Sequence, residues 1–177
     1  RGLIYKDMGN YKKALETLFT CDSLYIHEGT EDFRISSLNN IGVVYFYQAD
    51  YAKAIEYFTK TEKYFKPGEV SEIYVLNRGN IAESYYYQKK YKEAEKILLE
   101  VYPLSISHGY IRLGSRQANV LGKIYFDQGL MNKAQDYFRQ GLGYSRNGIK
   151  EEEIDALVYL GKIDASRGQL DSAENNI

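Results

Sequence analysis

The stretch Asn40-Ile-Gly-Val-Val-Tyr-Phe-Tyr-Gln-Ala-Asp-Tyr-Ala-Lys-Ala-Ile-Glu-Tyr-Phe58 decides the fold. It reads as one helix, a tight turn at Gln48-Ala49-Asp50, and a second helix. Its marker residues recur along the whole chain. Gly2, Gly42, Ala82, Gly122 and Gly161 form one series, with steps of 40, 40, 40 and 39 residues. Tyr5, Tyr45, Tyr85 and Tyr125 form a second, and Ala14, Ala54, Ala94, Ala134 and Ala173 a third. Independent series in one register are the signature of a repeat protein, whose units stack because none buries its apolar face alone.

Composition narrows the partners. Lys and Arg total 23 against 24 for Asp and Glu, so the basic footprint of nucleic-acid binding is absent. No apolar run approaches the roughly 20 residues that span a bilayer. The single cysteine, Cys21, excludes an internal disulfide framework. The chain starts at Arg1 inside a repeat, so a targeting segment could precede it; the cytoplasm is favoured and the periplasm stays open. Only 2 prolines leave room for long helices, and 19 tyrosines with no tryptophan suit positions where packed helices meet water or a ligand.

Five units follow, at about 1–27, 35–65, 71–107, 111–146 and 151–177, forming one array over 1–177. Residues 1–8 read as a helix end, Gly9-Asn10 as a turn, and Asn10 as the N-cap of the next helix. Asp50 caps the helix beginning at Tyr51, and Lys66-Pro67-Gly68 stops it. Pro103 predicts a kink rather than a stop, because Leu104 and Ile106 continue the apolar pattern. Further turns are expected at Gln88-Lys89-Lys90, Gln128-Gly129, Asn147-Gly148 and Arg167-Gly168. Glu151-Glu152-Glu153 suits a helix N-terminus, and Ile177 falls midway through a last helix, so both ends read as cut within repeats. Across each turn the tyrosines are expected to close the gap, Tyr45 with Tyr51 and Tyr85 with Tyr91.

Gly, two residues, Tyr, an aromatic six positions on, then Ala and Phe: this order resembles the tetratricopeptide repeat. Gly42, Tyr45, Tyr51, Ala54 and Phe58 are the cleanest copy; Ala82, Tyr85, Tyr91, Ala94 and Leu98 come next, then Gly122, Tyr125, Met131, Ala134 and Phe138. The last copy departs most, with Asp164 and Leu170 at the two aromatic positions beside Gly161 and Ala173. The resemblance implies an all-α fold, a right-handed α-α superhelix (solenoid) of about five helix-turn-helix repeats with the first and last truncated. The 40-residue step exceeds the roughly 34 of the usual repeat, which places the chain in a long-repeat variety.

That resemblance implies a concave face lined by the first helix of each pair, binding a peptide or partner segment. Asn39, Asn40, Asn80 and Asn119 lie at the matching positions, where amides could pair with an extended backbone; the alternative is that they bond neighbouring helices or solvent. Glu83, Arg116, Lys123 and Lys162 would tune charge, and Phe46, Tyr86 and Phe126 form an aromatic stripe that packing explains better than a ligand platform. Val43, Glu83 and Val120 stand where a carboxylate clamp needs donors and argue against one.

Catalysis has little support. His27 and His108 lack a partner at useful spacing, Cys21 sits at a core position, and Gly141-Leu-Gly143 with Gly148 follows a helix where a phosphate loop follows a strand. The reading is therefore a protein-interaction module without cofactor or metal, not an enzyme, its partner a protein or peptide rather than nucleic acid or membrane. Two alternatives stand beside it: a sensory or spacer region of a bacterial transcriptional regulator or sensor kinase, and a self-associating structural array.

Overall fold

The computed structural model describes residues 9–28, 31–145 and 150–174, with side chains over 9–25, 31–144 and 151–168. Expectations for residues 1–8 with Gly2 and Tyr5, the Asn147-Gly148 loop, Ile177, and the side chains of His27, Leu170 and Ala173 lie outside the described residues. Among the described residues eight α-helices follow one another: α1 Tyr11–Glu28, α2 Glu31–Tyr47, α3 Tyr51–Thr59, α4 Glu72–Tyr87, α5 Tyr91–Ser107, α6 Ile111–Asp127, α7 Met131–Ser145 and α8 Lys150–Glu174. One 3-10 turn, Glu62–Tyr64, follows α3, and the described residues contain no strand. The helices gather into two compact units, Arg1–Ile97 and Leu98–Ile177, divided within α5.

The turns have one construction. After α2, Asp50 N donates to Tyr45 O at 3.0 Å and Ala49 N to Phe46 O at 2.9 Å, a Schellman closure that satisfies carbonyls the helix end leaves open. The same bonds recur after α4, from Lys90 N to Tyr85 O and Lys89 N to Tyr86 O, and after α6, from Leu130 N to Tyr125 O and Gly129 N to Phe126 O. Such a closure needs one left-handed residue; Ala49, Lys89 and Gly129 supply it, with φ of 59°, 59° and 75°. Asn10 and Asp50 then cap the following helices, each accepting a backbone N–H at 3.2 Å.

In the first unit, Ala14 and Leu18 of α1 pack on Ile41 and Val44 of α2, with Tyr11, Leu15, Tyr45 and Tyr57 around them. Between α2 and α3 the contact is tighter. A Cβ at Gly42 would come within 2.6 Å of the Phe58 ring, which is itself 1% exposed. The second unit repeats the device. A Cβ at Gly122 of α6 would lie 2.7 Å from the Phe138 ring of α7. Ala14, Ala54, Ala82, Ala94 and Ala134 are fully buried, as the close approach of paired helices demands.

Three features depart from the sequence expectation. α3 ends at Thr59, ahead of Lys66-Pro67-Gly68, because the Phe58 carbonyl is taken by Thr61 Oγ1 and by Asn77 Nδ2 of α4. Pro103 is no such departure: α5 runs on through it to Ser107 without stopping. Aromatic contacts fall on other partners than expected: Tyr45 stacks on Tyr57 and Tyr125 on Tyr137, both at 5.4 Å, while Tyr51 stacks on Tyr87 at 5.2 Å and Tyr91 meets Tyr86. Finally, no turn forms at Arg167-Gly168. The helix α8 continues to Glu174, and no described atom lies within 4 Å of a Cβ placed on Gly161.

Two predictions follow from this packing. Gly42→Ala and Gly122→Ala should lower the urea midpoint, because overpacking of about 1–3 kcal/mol outweighs a helix-propensity gain of about 1 kcal/mol. Gly161→Ala should raise it, since nothing opposes the gain. The second concerns Asp50, whose carboxyl is held below its usual pKa by its hydrogen bonds to the Lys53 side chain and backbone. A depressed folded-state pKa means stability present at neutral pH and lost as pH falls through the carboxylate range. Asp50→Ala should cost about 0.5–2 kcal/mol near neutrality, and denaturation curves of the two proteins should converge on acidification.

Candidate functional site

The asparagines proposed for peptide capture are placed inside the helix packing. Asn39, Asn80 and Asn119 are only 7%, 5% and 2% exposed. In the first unit, Asn80 Nδ2 of α4 donates to Asn39 Oδ1 of α2 at 3.3 Å, so these amides satisfy each other. In the second unit, Asn119 Nδ2 of α6 donates to the Glu152 carbonyl of α8 at 2.8 Å, and its buried Oδ1 has no hydrogen-bond partner among the described residues. That oxygen lies where a side chain at Gly141 would strike it. A buried amide tied to the neighbouring helix is a spacer between repeats, which corrects the ligand-facing expectation for these three residues. Asn40, two positions before Gly42, keeps part of its surface open.

A second polar series escaped the sequence reading. Ser37, Asn77 and Gln117 stand five residues before Gly42, Ala82 and Gly122, and all are buried. Ser37 Oγ donates to Leu18 O at 3.4 Å, and Asn77 Nδ2 to Phe58 O at 2.9 Å. Gln117 Oε1 accepts from Ser105 Oγ at 2.7 Å. Each links the first helix of a pair to the helix before it. The 40-residue spacing was legible, but only burial shows that the series faces inward.

The charged and aromatic candidates lie further out. Glu83, Arg116 and Lys123 are half-buried and Lys162 is exposed. Lys123 is paired with Asp155, and Lys162 Nζ lies 4.4 Å from the centre of the Tyr159 ring, a cation–π arrangement. Tyr159 also meets Phe126 edge-on at 5.2 Å and stacks on Phe138 at 4.9 Å. In the first unit Phe46 packs edge-on against Tyr51 and Tyr87, and Tyr86 against Tyr87. The aromatic stripe therefore builds contacts between helices. His108 Nδ1 is tied to Leu104 O at 3.0 Å, and the described residues hold no His, Cys, Asp and Glu group fit for a metal ion.

A double-mutant cycle checks the spacer role of Asn39 and Asn80. Each single alanine variant should lose about 1–3 kcal/mol by leaving the other amide buried and unsatisfied. The double variant should lose less than the sum, the coupling being read from urea denaturation. Additive losses would show that the amides act separately.

Comparison with known proteins fits this geometry. One family model described as a tetratricopeptide repeat matches residues 34–61 and 78–105, and another so described matches 1–25 and 118–147. Together they cover well over half of the chain. No curated protein sequence matches. Among solved structures, a Podosopora anserina protein described as a kinesin light chain with nearly identical TPR-like repeats is 14% identical, with a TM-score of 0.73 over 98% of this chain and 86% of its own. BtubC from P. vanneervenii is 17% identical with a TM-score of 0.75, covering 98% and 73%. Aspartyl phosphate phosphatase F from Bacillus subtilis is 17% identical with a TM-score of 0.78, covering 99% of this chain and 48% of that one. No described helix is long and apolar enough to cross a membrane. The chain belongs to the tetratricopeptide-repeat family, an all-α scaffold of the helix-turn-helix solenoid class for protein–protein interaction.

Proposed function

We propose that the outward strips of the first helices, α2 and α4 in one unit and α6 and α8 in the other, are each able to hold an extended peptide or partner segment. The observation that carries this is the division of labour on each helix. Asn39, Asn80 and Asn119 are buried, whereas Asn40, Val43, Glu83, Arg116 and Lys123 stay half-open and Ser36 and Lys162 exposed. Buried spacers hold the helices apart, and the open positions beside them present donors, acceptors and charge. The first unit's strip carries Glu83; the second's carries Arg116, Lys123 and Lys162 against Asp155. The two strips therefore offer different charge to whatever each binds.

Selection of extended peptides from a display library, followed by affinity measurement, tests the reading. Asn40→Ala and Lys162→Glu should each weaken selected peptides by about tenfold or less, with unchanged melting temperature because neither side chain is buried. Selected peptides that bind both variants as tightly as the parent would remove the strip from consideration.

A second reading, a sensory region within a larger regulator, draws support from one comparison: the match spans about half of the B. subtilis phosphatase chain. Sequence flanking residues 1–177 decides it. An adjoining effector or membrane-spanning domain supports it, and a chain with neither refutes it.

A further inference from the structure

The turn between α4 and α5 gives up local stability twice, at adjacent residues. Lys89 occupies the left-handed position, with φ of 59°, where the register places glycine at Gly9 and Gly129 and the smaller Ala49 at the preceding turn; a side chain there is strained. Lys90 occupies the N-cap, its carbonyl receiving Ala94 N at 3.1 Å. The register puts Asn10, Asp50 and Leu130 at that position, and the side chains of the first two accept a backbone hydrogen bond. A lysine cannot accept one, and its charge opposes the helix dipole. Lys92 follows one residue inside α5. All three lysines are exposed, and no carboxylate pairs with any of them among the described residues. By contrast Lys53, at the preceding turn, is bridged to Asp50 at 3.0 Å.

Beside these cations the same unit exposes a platform of rings. Tyr87, the last residue of α4, is 44% exposed; Tyr47, the last of α2, is 57% exposed. Tyr87 stacks on Tyr51 at 5.2 Å with the planes 10° apart, and Phe46 meets Tyr47, Tyr51 and Tyr87 edge-on. The rings are thus fixed in place by one another while Tyr47 and Tyr87 keep surface toward solvent. Aromatic surface of this kind, rigid and edged by amphipathic hydroxyls, is what interfaces favour.

We infer that this turn edge of the first unit is a docking surface for an acidic, aromatic-containing segment of a partner protein, separate from the first-helix strip. Charge complementarity selects the occupant: within five residues of Tyr87 stand three exposed lysines with no carboxylate partner among the described residues, Lys90 Nζ lying 5.7 Å from the centre of the Tyr85 ring, and the one exposed carboxylate on this turn is Glu93. The chain as a whole carries a formal charge of −1, which favours an acidic peptide over a nucleic acid, whose binding rests on a broad basic face.

The substitution Lys89→Gly with Lys90→Asn separates binding from folding. It restores the glycine and the cap that the register uses elsewhere, so the protein should become more stable while losing two cations. The probe is a short synthetic Glu/Tyr peptide titrated onto the full 177-residue chain, with a Lys/Tyr peptide as control. The double variant should bind the Glu/Tyr peptide about threefold to tenfold more weakly, and Tyr87→Ala about tenfold more weakly. Lys162→Glu, on the first-helix strip, should leave this peptide's affinity unchanged, which distinguishes the two surfaces. Equal binding by the double variant and the parent overturns the inference, as does absence of Glu/Tyr peptide binding. Displacement of the peptide by oligothymidylate at lower concentration overturns it in favour of single-stranded nucleic acid.

Discussion

The contact between a helical glycine and a buried phenylalanine ring sets the spacing on which the structure depends. At Gly42 and Gly122 the partner ring fills the space a Cβ would take. Helix axes can then approach closely enough for Ala54 and Ala134 to be fully buried. Interiors packed at crystal-like density tolerate no compromise at such a point. The ring's position also fixes its carbonyl. Phe58 O, carried into the next interface, is where Asn77 of α4 attaches.

Polar groups then set how successive pairs meet. Ser37, Asn77 and Gln117 bond to the preceding helix, and Asn80 bonds to Asn39 between two first helices. Apolar contacts alone are weakly directional and would allow one pair to slide against the next. A buried amide cannot slide without losing its partner, at a cost of the order of 1–3 kcal/mol. Register between pairs is thus held by hydrogen bonds, and cohesion by the apolar core. The turn edges and strip positions lie further out than these buried contacts, which is why candidate binding surfaces are sought there.

The last helix shows what happens when the interlock is missing. Gly161 holds the register position of Gly42, yet a Cβ there meets nothing described, and Ile154, Leu157 and Val158 on the same helix are 59%, 50% and 49% exposed. Their counterparts in α2, Ile35, Leu38 and Asn39, are buried. No described ring packs on Gly161, and α8 runs without a break through Arg167-Gly168. Arg167 instead reaches Gln135 and Asn132 of α7 at 3.0 and 2.6 Å from a continuous α8. A glycine in a repeat register is a turn signal only when the second helix has a face to return to.

By itself the sequence determined the repeat, its 40-residue period, the three helix pairs from α2 to α7 and the turns at Gly9, Ala49, Lys89 and Gly129. Each of these rests on local chemistry: a spacing of small residues, a cap, a left-handed position. Tertiary structure alone decided which way each polar residue faces. Asn39 and Asn40 are neighbours of one type, yet the first is buried against Asn80 and the second stays half-open. Adjacent residues on a helix point about 100° apart, so a small difference in how the next pair docks exchanges their roles. The same holds for the tyrosines, whose partners across helices depend on packing that no spacing records. Helix formation is written locally and can be read from the chain, whereas orientation at an interface is a property of two surfaces meeting.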